Sequence, residues 1–429
     1  MIHQFKATNF LSIREEQMLD FTASSSDKMY EEYTVTPIRN YRISKLGVIY
    51  GANASGKSNI LIALNWLLNF TIDKNASKHE EIPGLTPFLL DAESRTMPTS
   101  MYLSFFIEDV RYEYSICLDS KKIHEEEFHF YPNNRRVLIY SRKWIEEKRY
   151  SKLTWGNVLK LNLQQKMALQ NSSTQGRTTL AGYMDSNIEV IPIFEHLVTF
   201  FMQTTMPLLS GNTNIGGYAN NKIKKNEECR KFVCQVLEKA DFNISDLSIK
   251  EQEKELDDET WNKMKALAQL MEGPIPEDKH IVTDDLLFTH KTSFYQETFR
   301  DELESMGTKR MYGMAVILYY LVKYNTILIA DELETSLHYD LLVYFIKMFL
   351  INSKRGQLIF STHSLMLLDE PIIRRDMIFF SEKNASGATE IFKAKAFGLH
   401  KDVSILNAYR AGKLGAKPEV GSVFLDLEE

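Results

Sequence analysis

Eight consecutive residues carry the strongest chemical signal in the chain. Gly51, Ala52, Asn53, Ala54, Ser55, Gly56, Lys57 and Ser58 fit the pattern G-x-x-x-x-G-K-[ST] of a phosphate-cradling loop. The glycines let backbone N–H groups curl around phosphate oxygens, and a helix beginning near Lys57 adds its N-terminal partial positive charge. In such a loop Lys57 reaches the β- and γ-phosphates and the Ser58 hydroxyl ligates Mg²⁺. The strand that would face the metal lies far downstream. Thr326-Ile-Leu-Ile-Ala330 is an apolar run ending in Asp331 and Glu332, which offers one carboxylate to a Mg²⁺ shell and the next to an attacking water.

Two further pieces follow the order expected when nucleotide is sandwiched between subunits. The run from Gln357 to Thr362 ends in His363, an imidazole placed to meet a γ-phosphate, although a lone histidine is more often structural. Upstream, Ser305 and Gly307 open the helix that runs to Lys323. A helix N-terminus of that composition makes an anion site or, more simply, a capped start. No Asn-Lys-x-Asp guanine-recognition run follows the loop, so ATP is expected rather than GTP.

Positioning these groups requires a buried sheet. Leu46 to Tyr50 is a compact apolar run typical of a strand covered on both faces, and Ile60, Leu61, Ala63, Leu64, Leu67 and Leu68 recur at helical spacing after it. Residues 101–141 alternate aromatic or β-branched with polar residues, which predicts antiparallel strands. From about 150 the texture becomes helical. Glu227–Lys239 and Asp258–Met271 read as helices, Gln170–Thr179 and Gly211–Asn221 as loops, and sheet character returns near Leu247–Ile249 and Leu286–His290. After residue 300 strands and helices alternate, as in a parallel sheet with helices on its faces. The expected organisation is an α/β head in two parts, 1–148 and 286–429, interrupted by a mainly helical insertion over 149–285.

Composition narrows the class. The chain has 429 residues, 44% hydrophobic and 25% charged, which is average for a folded protein and leaves room for two or three domains. A net charge of -6 gives no overall basic footprint for coating nucleic acid. Cys117, Cys229 and Cys234 have neither disulfide-framework nor zinc spacing. The first residues lack the apolar core of a signal peptide, and the run from Met311 to Val322 is too short for a membrane span. A cytoplasmic protein without membrane contact is expected.

The order of Gly51–Ser58, Ser305-Met-Gly-Thr308, Ile327-Leu-Ile-Ala-Asp331-Glu332, Ser336-Leu-His338 and Ser361-Thr-His363 resembles the ABC-type ATPases, the class that includes SMC and RecF-like proteins. It more closely resembles the AAA-family ATP/GTP phosphatases of the abortive-infection AbiL/RloA group and its anti-phage relatives. The residues that carry this are Asn9-Phe10-Leu-Ser-Ile, Phe21-Thr-Ala-Ser, Glu304-Ser-Met-Gly-Thr, Asp331-Glu-Leu-Glu-Thr-Ser-Leu-His, Ile373-Arg-Arg-Asp-Met-Ile-Phe-Phe and Gly412 to Pro418. The fold implied is a P-loop NTPase, an ABC/SMC-like ATPase head.

The resemblance implies that Gly51 to Asn59 bind ATP, that Ser58 and Asp331 hold Mg²⁺, and that Glu332 is the general base or water-positioning residue. It implies a catalytic part for Lys57 and the switch role for His363. Ser305, Gly307, Thr308, Ser336 and His338 would contact nucleotide held by a second protomer, so a homodimer or higher oligomer is implied. The glutamine that ABC-type proteins usually carry between loop and insertion is absent, since no glutamine lies between Gln17 and Gln164. The signature is also not the transporter form.

The resemblance further implies an anti-phage role in which the ATPase controls a toxic effector. No nuclease constellation is visible in this chain. The runs Glu125-Glu126-Glu127 and Asp257-Asp258-Glu259 read as solvated faces, so a separate effector, such as a nuclease, is expected. The competing reading is a RecF- or SMC-like clamp on DNA, and a scaffold that binds ATP without turnover is a third. Arg135-Arg136, Arg142-Lys143, Lys222 to Lys225, Arg374-Arg375, Arg410, Lys413 and Lys417 are candidate nucleic-acid contacts or, more simply, solvated charge.

Overall fold

The computed structural model describes residues 1–24, 31–75, 81–240, 242–270, 279–398, 400 and 403–417. Met271 and Pro418 lie outside the described residues. The chain divides into two units, one of Met1–Asn212, Leu321–Thr335 and Phe345–Glu429, the other of Thr213–Tyr320 and Ser336–Tyr344.

Two sheets build the first unit. In the five-stranded sheet the order is Ile327–Ala330, Gln357–Ser361, Leu46–Gly51, Ile378–Lys383 and Thr389–Lys393. The first four strands are parallel and the last is antiparallel. Leu46–Gly51 sits at the centre and is buried throughout, as its unbroken apolar run predicts. The seven-stranded sheet is antiparallel and runs from Tyr150–Trp155 through Val137–Ile145, Ile123–Phe130, Val110–Leu118, Thr99–Ile107 and Ile2–Thr8 to Gln17–Asp20.

The helix Lys57–Phe70 joins the two sheets. Its buried stripe of Ile60, Leu61, Leu64, Leu67 and Leu68 belongs to one hydrophobic cluster with Ile49, Ile329 and Ile359 of the parallel sheet and Phe5, Leu103 and Phe105 of the antiparallel sheet. Each fully buried leucine or isoleucine in that cluster contributes about 1.5–3 kcal/mol. The helix that follows the phosphate-binding pattern is therefore held rigidly from both sides.

The segment after the antiparallel sheet departs from expectation. Leu163–Ser172, Thr179–Met184 and Pro192–Thr199 are helices, the first begun by an Asn162–Gln165 capping box. Leu169, Leu180, Phe194 and Leu197 of these helices join the same cluster. They therefore belong to the first unit, and the second unit begins at Thr213, not near 149, and continues to Tyr320, past the expected boundary at 285. Helices make up more of it than strands, and Ile244–Glu255, His280–Lys291 and Gln296–Arg300 form an antiparallel sheet in it, where sheet character was expected to return. The expected loop Gly211–Asn221 contains the start of the helix Ile215–Lys225, capped by Asn214 accepting from Gly216 N–H at 3.0 Å.

Several charges expected on solvated faces are buried. Glu126 and Arg142 are cross-strand partners 3.6 Å apart with side chains 0% exposed. Glu126 also accepts from Tyr114, Tyr140 and Thr179, and Arg142 donates to the carbonyls of Thr174 and Arg177. Arg374 is buried against Asp376 at 2.5 Å. Arg142 and Arg374 are thus pillars of the fold and not nucleic-acid contacts. Among the described residues no helix is long and apolar enough to cross a membrane.

Candidate nucleotide site

The carboxyl ends of parallel strands share one edge of their sheet, and ligands in such sheets bind outside that edge. Here Gly51, Asp331 and the pair Ser361 and His363 end or follow three successive strands of the five-stranded sheet. Sheet order alone therefore brings Gly51 together with residues 280 (Asp331) and 312 (His363) positions further along the chain.

After Gly51 the chain turns through Ala54 (φ 61°) and Gly56 (φ 101°) into the helix at Lys57. Gly56 meets two demands at once, because its φ is left-handed and an added Cβ would lie 1.9 Å from Thr389 Oγ1. The underside of the loop is braced by hydroxyls. Ser381 Oγ and Thr389 Oγ1 both donate to the Ser55 carbonyl, at 3.0 and 3.1 Å. Ser12 Oγ lies 2.7 Å from Thr389 Oγ1 and accepts from Asn59 Nδ2 at 2.6 Å. Asn59, expected among the nucleotide ligands, thus spends its side chain on this brace.

Lys57 Nζ donates to the carbonyls of Gly51 and Ala52, each at 2.9 Å. Burial pushes its pKa below the usual lysine value, against the opposing pull of Asp331, Glu332 and Glu334. An ammonium held between loop carbonyls and a carboxylate pole sits where polyphosphate charge can be neutralised.

The carboxylate pole is organised by Ser361, a residue fully buried at the end of its strand. Its hydroxyl donates to Asp331 Oδ1 and accepts the Glu332 N–H at 2.9 Å. Glu332 itself has φ 53°, which turns its side chain from the strand direction toward His363, whose Nε2 lies 3.5 Å from Glu332 Oε1. Both side chains are partly exposed, 51% and 39%, so a small molecule can reach them. Glu334 Oε1 accepts the His363 N–H at 2.6 Å.

One further segment reaches this pole. Thr205 and Leu209 bridge in parallel to Ile327 and Ala330, and Asp331 N–H donates to the Leu209 carbonyl at 2.7 Å. Gly211 follows so closely that an added Cβ would lie 2.8 Å from Thr335 Oγ1 and 3.5 Å from Glu332 Oε2. The stretch just before the second unit therefore occupies this flank with Ser210, Gly211 and Asn212.

Oxygen donors are what a hard divalent cation takes. Asp331 and Ser58 are the candidate donors here, one carboxylate and one alcohol, a set whose chemistry would suit Mg²⁺ completed by substrate phosphates and water. Among the described residues no cluster of three or more His, Cys, Asp or Glu could hold a metal by itself.

The second group of expected residues gathers in the second unit. Ser305 Oγ accepts the Thr308 N–H at 3.0 Å and lies 2.8 Å from Thr308 Oγ1, capping the helix Met306–Lys323. A Cβ on Gly307 would meet only Ser336 O at 3.5 Å and Ser305 Oγ at 3.7 Å. Ser336 has φ 62°, and the largely exposed His338 accepts from Asp340 N–H at 3.3 Å. Gly307 and Ser305 thus lie near Ser336, while Lys57, Asp331, Glu332 and His363 belong to the first unit. Ser361, Glu334, Thr389 and Ser12 had no assigned role in the sequence reading.

Loop, helix and carboxylate strand make this an α/β P-loop NTPase fold. A family model described as "AAA domain, putative AbiEii toxin, Type IV TA system" matches residues 46–205 and 212–369. No curated protein sequence matches the chain. Among solved structures the chain is similar to an SMC head bound to the C-winged helix domain of ScpA, at 13% identity over 95% of this chain and 99% of that one, with a TM-score of 0.44. It is also similar to the SMC head domain from Thermotoga maritima, at 11% identity over 91% and 98%, with a TM-score of 0.41. A Pyrococcus furiosus Smc head with an extended coiled coil, bound to the C-terminal domain of ScpA, matches at 12% identity over 96% and 98%, with a TM-score of 0.40.

Proposed function

The chain belongs to this AAA-domain family, and from that premise we propose that it binds ATP with Mg²⁺ and hydrolyses it to ADP and phosphate, as the nucleotide-responsive subunit of an anti-phage, abortive-infection system. The observation that carries the ATPase reading is the convergence of Lys57, the Ser361-clamped pair Asp331 and Glu332, and His363 on the carboxyl ends of three adjoining strands.

In this reading the backbone from Gly51 to Gly56 holds the phosphates and Lys57 exchanges its loop carbonyls for β- and γ-phosphate oxygens. Ser58 and Asp331 would hold Mg²⁺, which would supply charge neutralisation to the phosphates. Glu332 orients the attacking water and accepts its proton, and the neighbouring His363 contacts the γ-phosphate. Ser305, Gly307, Thr308, Ser336 and His338 meet the nucleotide of a second protomer, so two chains close around two ATP molecules. The family description names a putative AbiEii toxin of a type IV TA system, which supports a defence role in which closure and opening control a separate effector such as a nuclease. The burial of Arg142 and Arg374 takes two basic candidates away from the alternative DNA clamp.

The test is solution mass and phosphate release for wild type and Glu332→Gln, with and without ATP·Mg²⁺. Hydrolysis lost in Glu332→Gln together with a larger species trapped by ATP supports the reading. Hydrolysis that persists in Glu332→Gln, or none in wild type, overturns it.

A further inference from the structure

The chain segments that leave Ile327–Ala330 and Gln357–Ser361 carry the carboxylate pole and the imidazole. These strands are parallel neighbours whose ladder ends at the pair Ala330 and Phe360. Beyond it no regular backbone pairing holds the two loops together. Side chains and a single backbone bond take over. At the base, Ser361 Oγ bonds both Asp331 and Glu332, and Leu333 N–H donates to the Ser361 carbonyl at 3.3 Å. At the tip, Glu334 Oε1 accepts the His363 N–H at 2.6 Å, a short bond to an ionised acceptor and so among the stronger kinds.

Glu334 is well placed to transmit position. Thr335 closes a turn onto the Glu332 carbonyl through its N–H at 3.1 Å and its hydroxyl at 2.9 Å, and Leu333, the residue between the two glutamates in sequence, is fully buried. Glu332 and Glu334 are therefore fixed relative to one another. One faces the His363 imidazole at 3.5 Å and the other holds the His363 backbone. The remaining oxygen, Glu334 Oε2, is buried without a hydrogen-bond partner among the described residues.

We propose that Glu334 is a positioning residue for hydrolysis, tying the His363 loop to the carboxylate loop so that the imidazole keeps its place beside Glu332. The inference rests on the ATPase reading above. The part assigned to Glu334 runs through the His363 backbone it holds.

The experiment compares Glu334→Ala and Glu334→Gln in the wild-type and His363→Ala backgrounds, in the full chain. Losing one charge-assisted hydrogen bond predicts a kcat lowered about 10- to 100-fold in Glu334→Ala, with KM for ATP changed by less than about twofold. Glu334→Gln retains most of the activity, because its amide oxygen still accepts the N–H. In the His363→Ala background Glu334→Ala adds less than about a further twofold, since the two residues act as one unit. Hydrogen exchange on the nucleotide-free protein supplies a readout independent of turnover. The His363 amide exchanges at least about tenfold faster in Glu334→Ala and at the wild-type rate in Glu334→Gln. The proposal is overturned by unchanged exchange at His363, by additive losses in the double variant, or by a Gln variant as impaired as the Ala variant. Absence of turnover in wild type would refute the ATPase reading and the catalytic half of this inference, while exchange at His363 still decides the contact.

Discussion

The hydroxyl of Ser361 accepts the backbone N–H of Glu332 at 2.9 Å and donates to the neighbouring Asp331 carboxylate. One buried oxygen thus holds two carboxylate-bearing residues with unlike expected tasks, the metal ligand and the water-orienting group. Its removal leaves the Glu332 N–H without that acceptor and lets the Asp331 carboxylate rotate. Ser361→Ala is expected to lower phosphate release about 10- to 100-fold, the scale of losing hydrogen bonds to a charged group. Ser361→Thr, which keeps the hydroxyl, recovers part of it.

Gly56→Ala should abolish the loop's shape before it affects any chemistry. The backbone there is left-handed, and the added methyl would meet Thr389 Oγ1 at 1.9 Å. Titration with a fluorescent ATP analogue is expected to show affinity at least about tenfold weaker, since strain of this kind costs of order 1–3 kcal/mol. Affinity equal to wild type would show that the loop can take another conformation.

Breaking the Glu126–Arg142 pair tests the antiparallel sheet independently of nucleotide. Both side chains are 0% exposed, and removing one partner strands the other charge. Urea denaturation of Arg142→Met should show a loss of about 3–5 kcal/mol. Replacing both residues with apolar ones of similar volume should restore much of it, although Tyr114 and Tyr140 then lose their acceptor.

Lys45 offers a pH-dependent test. Its ammonium donates to the carbonyls of Leu350 and Ser353, at 3.1 and 2.5 Å, while burial pulls its pKa down to about 8. The unfolded chain holds this proton up to the ordinary lysine value, so between about pH 8 and pH 10.5 it binds more protons than the native state, and stability rises with pH through that window. Below about pH 8 the contribution is flat. Denaturation midpoints of wild type minus Lys45→Met should climb from pH 8 to pH 10; a difference that stays level or falls overturns the assignment.

Much of this architecture was legible in the chain because its signals are local. The Gly51–Ser58 pattern, the apolar run into Asp331 and the stripe from Ile60 to Leu68 each state their structure within about fifteen residues, and the family resemblance rested on these same runs. Residues whose task depends on a partner across the sheet were not legible. Glu126 looked solvated as the middle of three glutamates, yet strand alternation puts it on the face of Phe128, and that parity was the available clue. Ser361 reads as the polar end of an apolar strand until Asp331 is seen beside it. The boundary near 149 was misplaced because a change from strand to helix need not mark a new unit when the helices bury Leu169, Leu180 and Phe194 on the sheet already made. The Ile215–Lys225 helix was hidden by Gly216 and Gly217, poor helix formers that outweighed the Asn214 cap.

The short strand Ile327–Ala330 would be an outer strand of its sheet were it not for Thr205 and Leu209, which pair with it and leave Asp331 N–H bonded to Leu209. An uncovered strand margin offers unpaired amides and carbonyls to any extended peptide that arrives. Here that offer is already taken by the chain itself, right up to the residue expected to hold the metal. Another molecule that reaches this flank must therefore recognise it through side-chain shape and charge, since it cannot enlist as an added strand.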